Sequence, residues 1–329
     1  MSSFPTLVDE ADSPMSAPPK HPQLHPIWGK WGEPATIIVY GDSGIGKSTD
    51  MIYSFPTALF LSLPGAMKPS ISTIGISKDD LWVVEVNNLD GAINAITRAA
   101  QLPPKRRPVA VVVDDLTLLA ERQAMDMKNS GNYQMVGDGV FRFWGDLRNK
   151  VQTLALYTRG IGAFPCFNAH RCTPRSDKDG FWKGGPELPS KKLVKAIPHA
   201  ADVVYKAEAE VSRKGQNFWT GVYRCEPEDP SYHMKDRHGY RGVVPMNLGE
   251  LLRAVGYQLP RLPALQWQET VADTIVEQRA EGLAVKDVVT HWADKLNGKV
   301  HKLHIRWAVR DGLDRYTIQN MREDSIFAL

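Results

Sequence analysis

Residues 41–48 read Gly-Asp-Ser-Gly-Ile-Gly-Lys-Ser and match the pattern G-x-x-x-x-G-K-[ST] at every position. Glycines permit backbone conformations that other residues rarely adopt, so successive N–H groups can point at one anion. In this pattern, called the P-loop below, Lys47 reaches the β- and γ-phosphates of a nucleotide and the Ser48 hydroxyl ligates Mg²⁺. Thr49 is expected near the base or ribose. The predicted nucleotide-binding residues are Gly41, Asp42, Ser43, Gly44, Ile45, Gly46, Lys47, Ser48 and Thr49.

Two acidic residues follow the most apolar segment of the chain, residues 109–113 (VAVVV). A carboxylate at the end of a buried strand, beside a phosphate-binding loop, can hold the hydration shell of Mg²⁺. We assign that role to Asp114, and Asp115 is the candidate for polarising the attacking water. The alternative is that the acidic pair caps a helix that follows.

A third polar segment, Asn168-Ala169-His170, follows another apolar run. A polar residue at such a strand end can sense the γ-phosphate and signal its presence to the next loop. His170 is the candidate for this sensor and joins Lys47, Asp115 and Glu85 as a candidate catalytic residue. The alternative is a surface histidine near a strand end.

Basic and aromatic side chains are concentrated in residues 171–195, which contain seven lysines and arginines. Cations that contact phosphates, beside rings that stack on bases, suit single-stranded nucleic acid. The alternative is a solvated loop. The candidate nucleic-acid-binding residues are Arg171, Arg175, Lys178, Phe181, Trp182, Lys183, Lys191 and Lys192.

A second basic segment contains Lys235 and Arg237. Such cations can act on the γ-phosphate across a subunit boundary. The alternative is a solvated turn.

Strands and helices alternate along the part of the chain that must position these residues. Short apolar runs predict strands at 35–40, 58–63, 81–86, 109–113 and 162–168, and helical spacing predicts helices at 47–54, 89–102, 117–128 and 141–159. This alternation predicts an α/β fold with a mostly parallel central sheet flanked by helices.

The second half of the chain has weaker patterns. Residues 171–195 are predicted to be a long loop. Residues 201–210 and 218–226 predict a β-hairpin around Lys214-Gly215, and residues 246–256 predict a short helix. After residue 260, helical periodicity predicts a small appendage with helices at 265–282, 285–296, 302–311 and 317–321.

Composition narrows the class of protein. The chain has 329 residues, of which 43% are hydrophobic and 23% charged, which excludes a mostly disordered or collagen-like chain. A net charge of +3 does not by itself identify a nucleic-acid-binding protein. Three cysteines do not form a dense disulfide framework and favour a reducing compartment. The absence of a long apolar run predicts no membrane span, so the expected location is the cytoplasm.

The order and spacing of these parts resemble a RecA-type ATPase core, of the compact kind found in phages. That group includes nucleotide-binding proteins and recombinases that assist single-strand annealing. The resemblance covers roughly residues 34–250. It rests on the P-loop, VVEVNNLDGAINAI at 83–96, VAVVVDDLT at 109–117, FNAH at 167–170, ADVV at 201–204 and MKDRHG at 234–239 before a Val-Val-Pro segment.

The resemblance implies an ATP-hydrolysing ring or filament that uses ATP and Mg²⁺, with nucleotide between subunits and DNA along an inner surface. The partners that it implies are further copies of the chain, single-stranded DNA and a single-strand-binding protein. The location that it implies is the host cytoplasm. Asp114 then matches the second acidic motif, His170 the sensor, residues 171–195 the DNA-binding loop, and Lys235 and Arg237 the trans-acting cations. The expected domains are a disordered leader (1–26), a RecA-like P-loop ATPase domain (27–258) and a helical C-terminal appendage (259–329).

One position departs from this family. Its members usually carry a catalytic glutamate at the end of the strand after the P-loop helix, where this chain has Leu61-Ser62-Leu63-Pro64-Gly65. Glu85 on the next strand, or Asp115, is the candidate replacement.

Two other functions stay open. One is a different oligomeric P-loop ATPase, such as a helicase, helicase loader, packaging or defence ATPase. The other is a non-hydrolysing module in which ATP gates assembly.

Overall fold

The structure, a computed structural model, describes residues 33–74, 81–133, 135–178, 180–209, 221–225, 230–260, 266–296 and 302–326. The predicted leader, residues 1–26, lies outside the described residues. The predicted hairpin turn at Lys214-Gly215 also lies outside them.

Strands and helices alternate through the first half of the chain, as predicted. The strands are β1 (Ile37–Tyr40), β2 (Leu59–Ser62), β3 (Trp82–Glu85), β4 (Ala110–Asp114), β5 (Phe164–Ala169), β6 (Arg171–Cys172), β7 (Arg175–Asp177), β8 (Gly180–Trp182), β9 (Gly185–Pro186), β10 (Val203–Ala209), β11 (Gly221–Arg224), β12 (Lys235–Asp236) and β13 (Val243–Pro245). The helices are α1 (Lys47–Ser54), α2 (Lys68–Ile74), α3 (Leu89–Ala100), α4 (Leu116–Asn129), α5 (Asp138–Gly160), α6 (Lys191–Ala200), α7 (Leu248–Ala254), α8 (Gln266–Ala280), α9 (Val285–Leu296) and α10 (Lys302–Ile326).

A nine-stranded sheet organises these elements, in the order β13-β11-β10-β1-β5-β4-β2-β3, with β12 also paired to β10. The strands from β10 to β3 in this order are parallel, and β11, β12 and β13 add antiparallel pairings. The predicted α/β fold, with a mostly parallel central sheet flanked by helices, is confirmed. The predicted hairpin is also confirmed in its described strands, β10 and β11.

The two faces of the sheet build two cores, because successive side chains of a strand point to opposite faces. On β1, Ile38 and Tyr40 pack with residues of α3, α4, α5 and α6. Ile37 and Val39 pack on the other face with residues of α1, α2 and α7. Strands buried on both faces read as apolar runs, which is why the sequence predicts them well.

Residues 171–195 differ from the predicted loop. Strand β6 pairs with β9, β7 pairs with β8, and α6 begins at Lys191 with the Ser190 hydroxyl accepting a hydrogen bond from the Leu193 N–H. Strands β7 and β8 are largely exposed, so they lack the alternation of apolar and polar residues that marks a half-buried strand.

The two helices predicted at 302–311 and 317–321 form one helix, α10. Gly312 lies between them. A Cβ at Gly312 would meet Ile275 Cβ at 2.7 Å and the Ala272 carbonyl oxygen at 2.8 Å. The glycine therefore permits close packing of α10 on α8 rather than ending the helix. None of the described helices combines the length and apolar character that crossing a bilayer needs.

Helix α10 contacts the sheet domain as well as its neighbours α8 and α9. The Arg310 guanidinium donates to the Gly221 and Met246 carbonyl oxygens at 3.3 and 3.1 Å. The Asn247 amide donates to Asp311 Oδ1 at 3.0 Å. The domain boundary at residue 258 stays a prediction, and these contacts join the elements on its two sides.

A buried carboxyl links α1 to the same region. Asp50 accepts hydrogen bonds from the Tyr223 hydroxyl and, at 3.3 Å, from the Leu248 N–H. Burial raises the pKa of Asp50 to about 7, although these two hydrogen bonds and the nearby charge of Arg310 oppose the rise. The folded protein therefore keeps a proton on Asp50 under conditions in which the unfolded chain has released it.

We expect the free energy of unfolding to fall as the pH rises from about 4 to about 7, because folded Asp50 has a raised pKa. In the variant Asp50→Asn this contribution is absent. Its stability relative to wild type should rise with pH by up to about 1.4 kcal/mol per pH unit within that window. Urea unfolding of both proteins across the window measures the difference. A difference that does not change with pH would contradict the assignment.

Candidate functional site

The P-loop connects the carboxyl end of β1 to α1. Gly44 and Gly46 have φ angles of 80° and 94°, in the left-handed region that favours glycine, and Gly46 caps the N-terminus of α1. The helix begins at Lys47, so its first N–H groups face the loop, where an anion is favoured. The local backbone therefore has the form that the sequence pattern predicts.

Gly41 allows the P-loop to pack against β10. A Cβ at this position would lie 2.5 Å from the Ala207 carbonyl oxygen and 2.5 Å from Ile45 Cδ1. Thr49 is buried in α1, with 6% of its surface exposed, which leaves little of it to meet a base or ribose.

Lys47 folds back into its own loop. Its Nζ donates to the carbonyl oxygens of Gly41 and Asp42, both at 2.9 Å, and the residue is only 8% exposed. Burial lowers the pKa of Lys47, while the carboxylates of Asp115, Asp114 and Asp42 favour its charged form. A cation is therefore held at the centre of the loop with acidic groups around it.

The strand order brings a buried acid to the same edge of the sheet. Strand β5 lies between β1 and β4, and Asn168 near its end is fully buried. Asn168 Nδ2 donates to Asp114 Oδ1 at 3.1 Å. Asn168 Oδ1 has no hydrogen-bond partner among the described residues. An unpaired buried acceptor beside a carboxylate suits a hydrated cation, since a water of its shell can donate to that oxygen.

The residues present fit Mg²⁺, which prefers one or two protein oxygens together with water and phosphate. Asp114 supplies a carboxylate, and Ser48 supplies a hydroxyl at the start of α1. Among the described residues, no group of three or more His, Cys, Asp and Glu side chains is placed to hold a metal by itself.

Asp115 has two partners. Its Oδ1 accepts from the Thr117 N–H at 2.6 Å and the Leu118 N–H at 3.3 Å, which caps α4. Its Oδ2 lies 2.9 Å from His170 Nε2. Burial raises the pKa of Asp115, and the charge of His170 opposes the rise. The cap that the sequence left as an alternative is present, and the structure also brings Asp115 and His170 together.

Glu85, in contrast to Asp114 and Asp115, lies far from the P-loop. It ends β3, and its Oε1 accepts from the Gly65 N–H at 3.0 Å. Strands β2, β4 and β5 separate β3 from β1. Four spacings of about 4.8 Å place the two strands roughly 19 Å apart. The structure therefore does not bring Glu85 to the P-loop, and its prediction as a catalytic residue is not supported. Ser62 on β2 is the residue in register with Asp114.

Thr117 joins three segments and was missed by the sequence reasoning. Its Oγ1 accepts from the His170 N–H at 2.9 Å and donates to the Glu187 carbonyl oxygen at 2.8 Å. The Glu187 N–H donates back to the His170 carbonyl oxygen at 2.8 Å. Asn168 was also left out of the predicted site, although an amide at the end of an otherwise apolar strand is a readable signal.

Residues 171–186, named the basic arm, follow β5 and form two antiparallel pairings, β6 with β9 and, between them in sequence, β7 with β8. Phe181 is 60% exposed. Trp182 is held more firmly, because its Nε1 donates to Asp177 Oδ1 at 2.9 Å and Lys191 Nζ lies 4.4 Å from its ring centroid. Phe181 is therefore the ring that is open to a stacking partner.

A groove of about 790 Å³ lies between the basic arm, α6 and residues 232–235. The described residues that line it include no carboxylate. Its cationic and imidazole side chains are Arg175, Lys183, Lys191, Lys195, Lys235, His199 and His233. Of the predicted nucleic-acid-binding residues, five line the groove: Arg175, Phe181, Trp182, Lys183 and Lys191.

The other three predicted residues lie outside this groove. Lys178 is exposed on the arm, and Lys192 Nζ lies 4.8 Å from the Phe141 ring centroid. Arg171 forms an ion pair with Asp42 of the P-loop, with Nη2 and Oδ2 2.9 Å apart.

Lys235 and Arg237 lie near the amino-terminal end of β10, where Lys235 is opposite Val204. Lys235 donates to the carbonyl oxygens of His199 and Ala201, and Arg237 Nη1 lies 2.7 Å from Asp202 Oδ1. The P-loop follows the carboxyl end of the neighbouring parallel strand β1. Within one chain these cations therefore lie toward the opposite end of the sheet from the P-loop, and their role across a subunit boundary stays a prediction.

No model of a known protein family matches the chain, and no curated protein matches it. Among solved structures, the chain is similar to one described as the crystal structure of the RadB recombinase. The TM-score is 0.40 and the sequence identity 10%, over 64% of this chain and 86% of the other.

We expect Gly41→Ala to lower the free energy of unfolding by about 1–3 kcal/mol, because the new methyl group would overlap the Ala207 carbonyl oxygen. Gly145→Ala is the matched control. Gly145 lies inside α5 with open space around it, so alanine there should raise stability by about 0.5–1 kcal/mol. Chemical unfolding of the two variants measures both effects. Wild-type stability in Gly41→Ala would show that the loop does not pack on β10 as described.

Proposed function

We propose that the chain binds ATP with Mg²⁺ at residues 41–49, hydrolyses it, and acts on single-stranded DNA in recombination or strand annealing. The observation that carries the proposal is the arrangement around Lys47. A buried lysine lies in a glycine-rich loop at a helix N-terminus, and Asp114 and Asn168 lie at neighbouring strand ends.

The P-loop groups have distinct roles in this proposal. The loop N–H groups and the start of α1 bind phosphate oxygens, and Lys47 exchanges its two carbonyl partners for oxygens of the β- and γ-phosphates. Ser48 and Asp114 would hold Mg²⁺, which neutralises charge on the transferred phosphoryl group. Asn168 orients Asp114 through their 3.1 Å hydrogen bond.

The Asp115–His170 pair is the proposed site for the attacking water. One oxygen of Asp115 is engaged in capping α4 and the other pairs with His170 Nε2, so the two side chains would orient a water together. No carboxylate stands at the end of β2, where Ser62 is found. We therefore propose slow turnover.

Single-stranded DNA is the proposed partner of the groove beside the basic arm. The groove carries an excess of cations, although Lys191 pairs with Asp177, and this excess favours a polyanion. An exposed Phe181 offers a stacking surface for a base. A homo-oligomeric ring or filament would let Arg237, whose side chain is 62% exposed, reach a neighbouring nucleotide site. We also propose a single-strand-binding protein as a partner and the cytoplasm as the location of the protein.

A second candidate function is an ATP-gated assembly module without hydrolysis, favoured by the capping role of Asp115. Steady-state ATP hydrolysis with and without single-stranded DNA, at low and moderate salt, separates the candidates. Stimulation that fades with salt supports the recombination-type ATPase, since phosphate contacts release counterions. Hydrolysis indifferent to DNA indicates another P-loop ATPase, and tight binding without hydrolysis indicates the assembly module.

We expect Lys47→Ala to weaken ATP binding roughly 100-fold or more, because it removes a buried cation from the phosphate site. The control is Lys105→Ala, at an exposed position remote from the P-loop, which should bind ATP as wild type does. Calorimetric titration with ATP and Mg²⁺ measures the affinity. Wild-type affinity in Lys47→Ala would remove the central claim.

We expect Phe181→Ala to weaken binding of a single-stranded oligonucleotide by about tenfold while ATP binding is unchanged, since stacking contributes ~1–3 kcal/mol per base. Trp182→Ala should have a smaller effect because that ring already contacts Asp177 and Lys191. The aromatic control is Tyr157→Ala, exposed on α5 outside the groove. Fluorescence anisotropy of a labelled oligothymidylate measures the three affinities, and an unchanged value for Phe181→Ala would exclude the groove as the binding surface.

A further inference from the structure

Arg171 lies at the junction between the P-loop and the basic arm. It is the first residue of β6, whose pairing with β9 forms the base of the arm. Its Nη2 is 2.9 Å from Oδ2 of Asp42, the second residue of the P-loop. One ion pair therefore connects the loop around the phosphates to the arm beside the groove.

The environment of Arg171 differs from that of the other arm cations. Its side chain is only 28% exposed, and its Nε is buried without a hydrogen-bond partner among the described residues. Arg175, by contrast, is exposed and lines the groove. The guanidinium of Arg171 thus faces the P-loop and keeps donor capacity that Asp42 does not use.

We propose that Arg171 is a ligand of the terminal phosphate. It pairs with Asp42 in the absence of nucleotide and transfers to phosphate oxygens when a nucleoside triphosphate binds. The inference rests on the proposed nucleotide site. A triphosphate carries several negative charges against the single charge of Asp42, and a guanidinium matches phosphate oxygens with two parallel hydrogen bonds.

The other end of the arm is fixed by a different set of contacts. Glu187, directly after β9, donates its N–H to the His170 carbonyl oxygen, and its own carbonyl oxygen accepts from Thr117 Oγ1. The Arg171 side chain can change partner while these contacts stay in place. The exchange would therefore act on one side of the base of the arm, next to the groove.

The test compares a triphosphate with a diphosphate. Calorimetric titrations use a non-hydrolysable ATP analogue and ADP, each with Mg²⁺. Arg171→Ala should weaken analogue binding tenfold or more and change ADP binding less than about twofold. Arg171→Lys keeps the charge but not the two parallel hydrogen bonds of a guanidinium, so it should lose part of the preference for the analogue over ADP. The same variant replaces Arg171→Ala in the test if the alanine variant does not fold.

Two further variants complete the test. Asp42→Asn removes the competing carboxylate and should tighten analogue binding by severalfold. Arg175→Ala is the matched arginine control and should keep the preference for the analogue over ADP while weakening oligonucleotide binding. In wild type the oligonucleotide affinity should differ between the two nucleotides, and Arg171→Ala should abolish that difference.

The outcomes are distinguishable. If wild type binds the analogue but Arg171→Ala and Arg171→Lys keep its preference over ADP, Arg171 is not a phosphate ligand and the inference is overturned. A uniform loss of oligonucleotide affinity in that case would make Arg171 a nucleic-acid contact. If wild type binds neither nucleotide, the proposed function itself fails, independently of any Arg171 variant.

Discussion

The buried hydrogen bond between Asn168 and Asp114 is the constraint on which the site depends. A carboxylate removed from water is costly unless it is paired, and Asn168 supplies the pairing from the strand inserted between β1 and β4. Because parallel strands end at a common edge, this insertion sets the separation between the P-loop and the acid. The same strand continues into His170 and the basic arm. The geometry of three functional groups therefore follows from one strand position.

A second constraint acts on the helix that carries Lys47. Gly46 caps the N-terminus of this helix. Asp50, in its first turn, accepts hydrogen bonds from the Tyr223 hydroxyl and the Leu248 N–H and so connects the helix to β11 and α7. Arg310 of α10 is close enough to favour the charged form of Asp50. Helix α10 thus contacts the core next to α1 rather than extending away from it.

The sequence predicts the P-loop, the buried strands and the acid at the end of β4, since each has a local signature. It does not predict which strands are neighbours in the sheet. Glu85 follows the P-loop closely in sequence, but the sheet order places its strand, β3, at the edge farthest from β1, so Glu85 does not reach the P-loop. Arg171 was grouped with the other cations because composition does not encode the direction of a side chain. Helix α6 was missed because its polar start and internal Pro198 resemble a loop.

The contacts of Asp50 have a consequence for how the protein folds. Its partners Tyr223 and Leu248 lie 173 and 198 residues further along the chain. Closing such long loops is slow, because much chain entropy is lost before the contact forms. Helix α1 has only eight residues, so its stability depends on packing rather than on local interactions, and its buried face is completed only when these distant parts of the chain arrive. Completion of the packing around the P-loop helix therefore depends on segments that are remote from the P-loop in sequence.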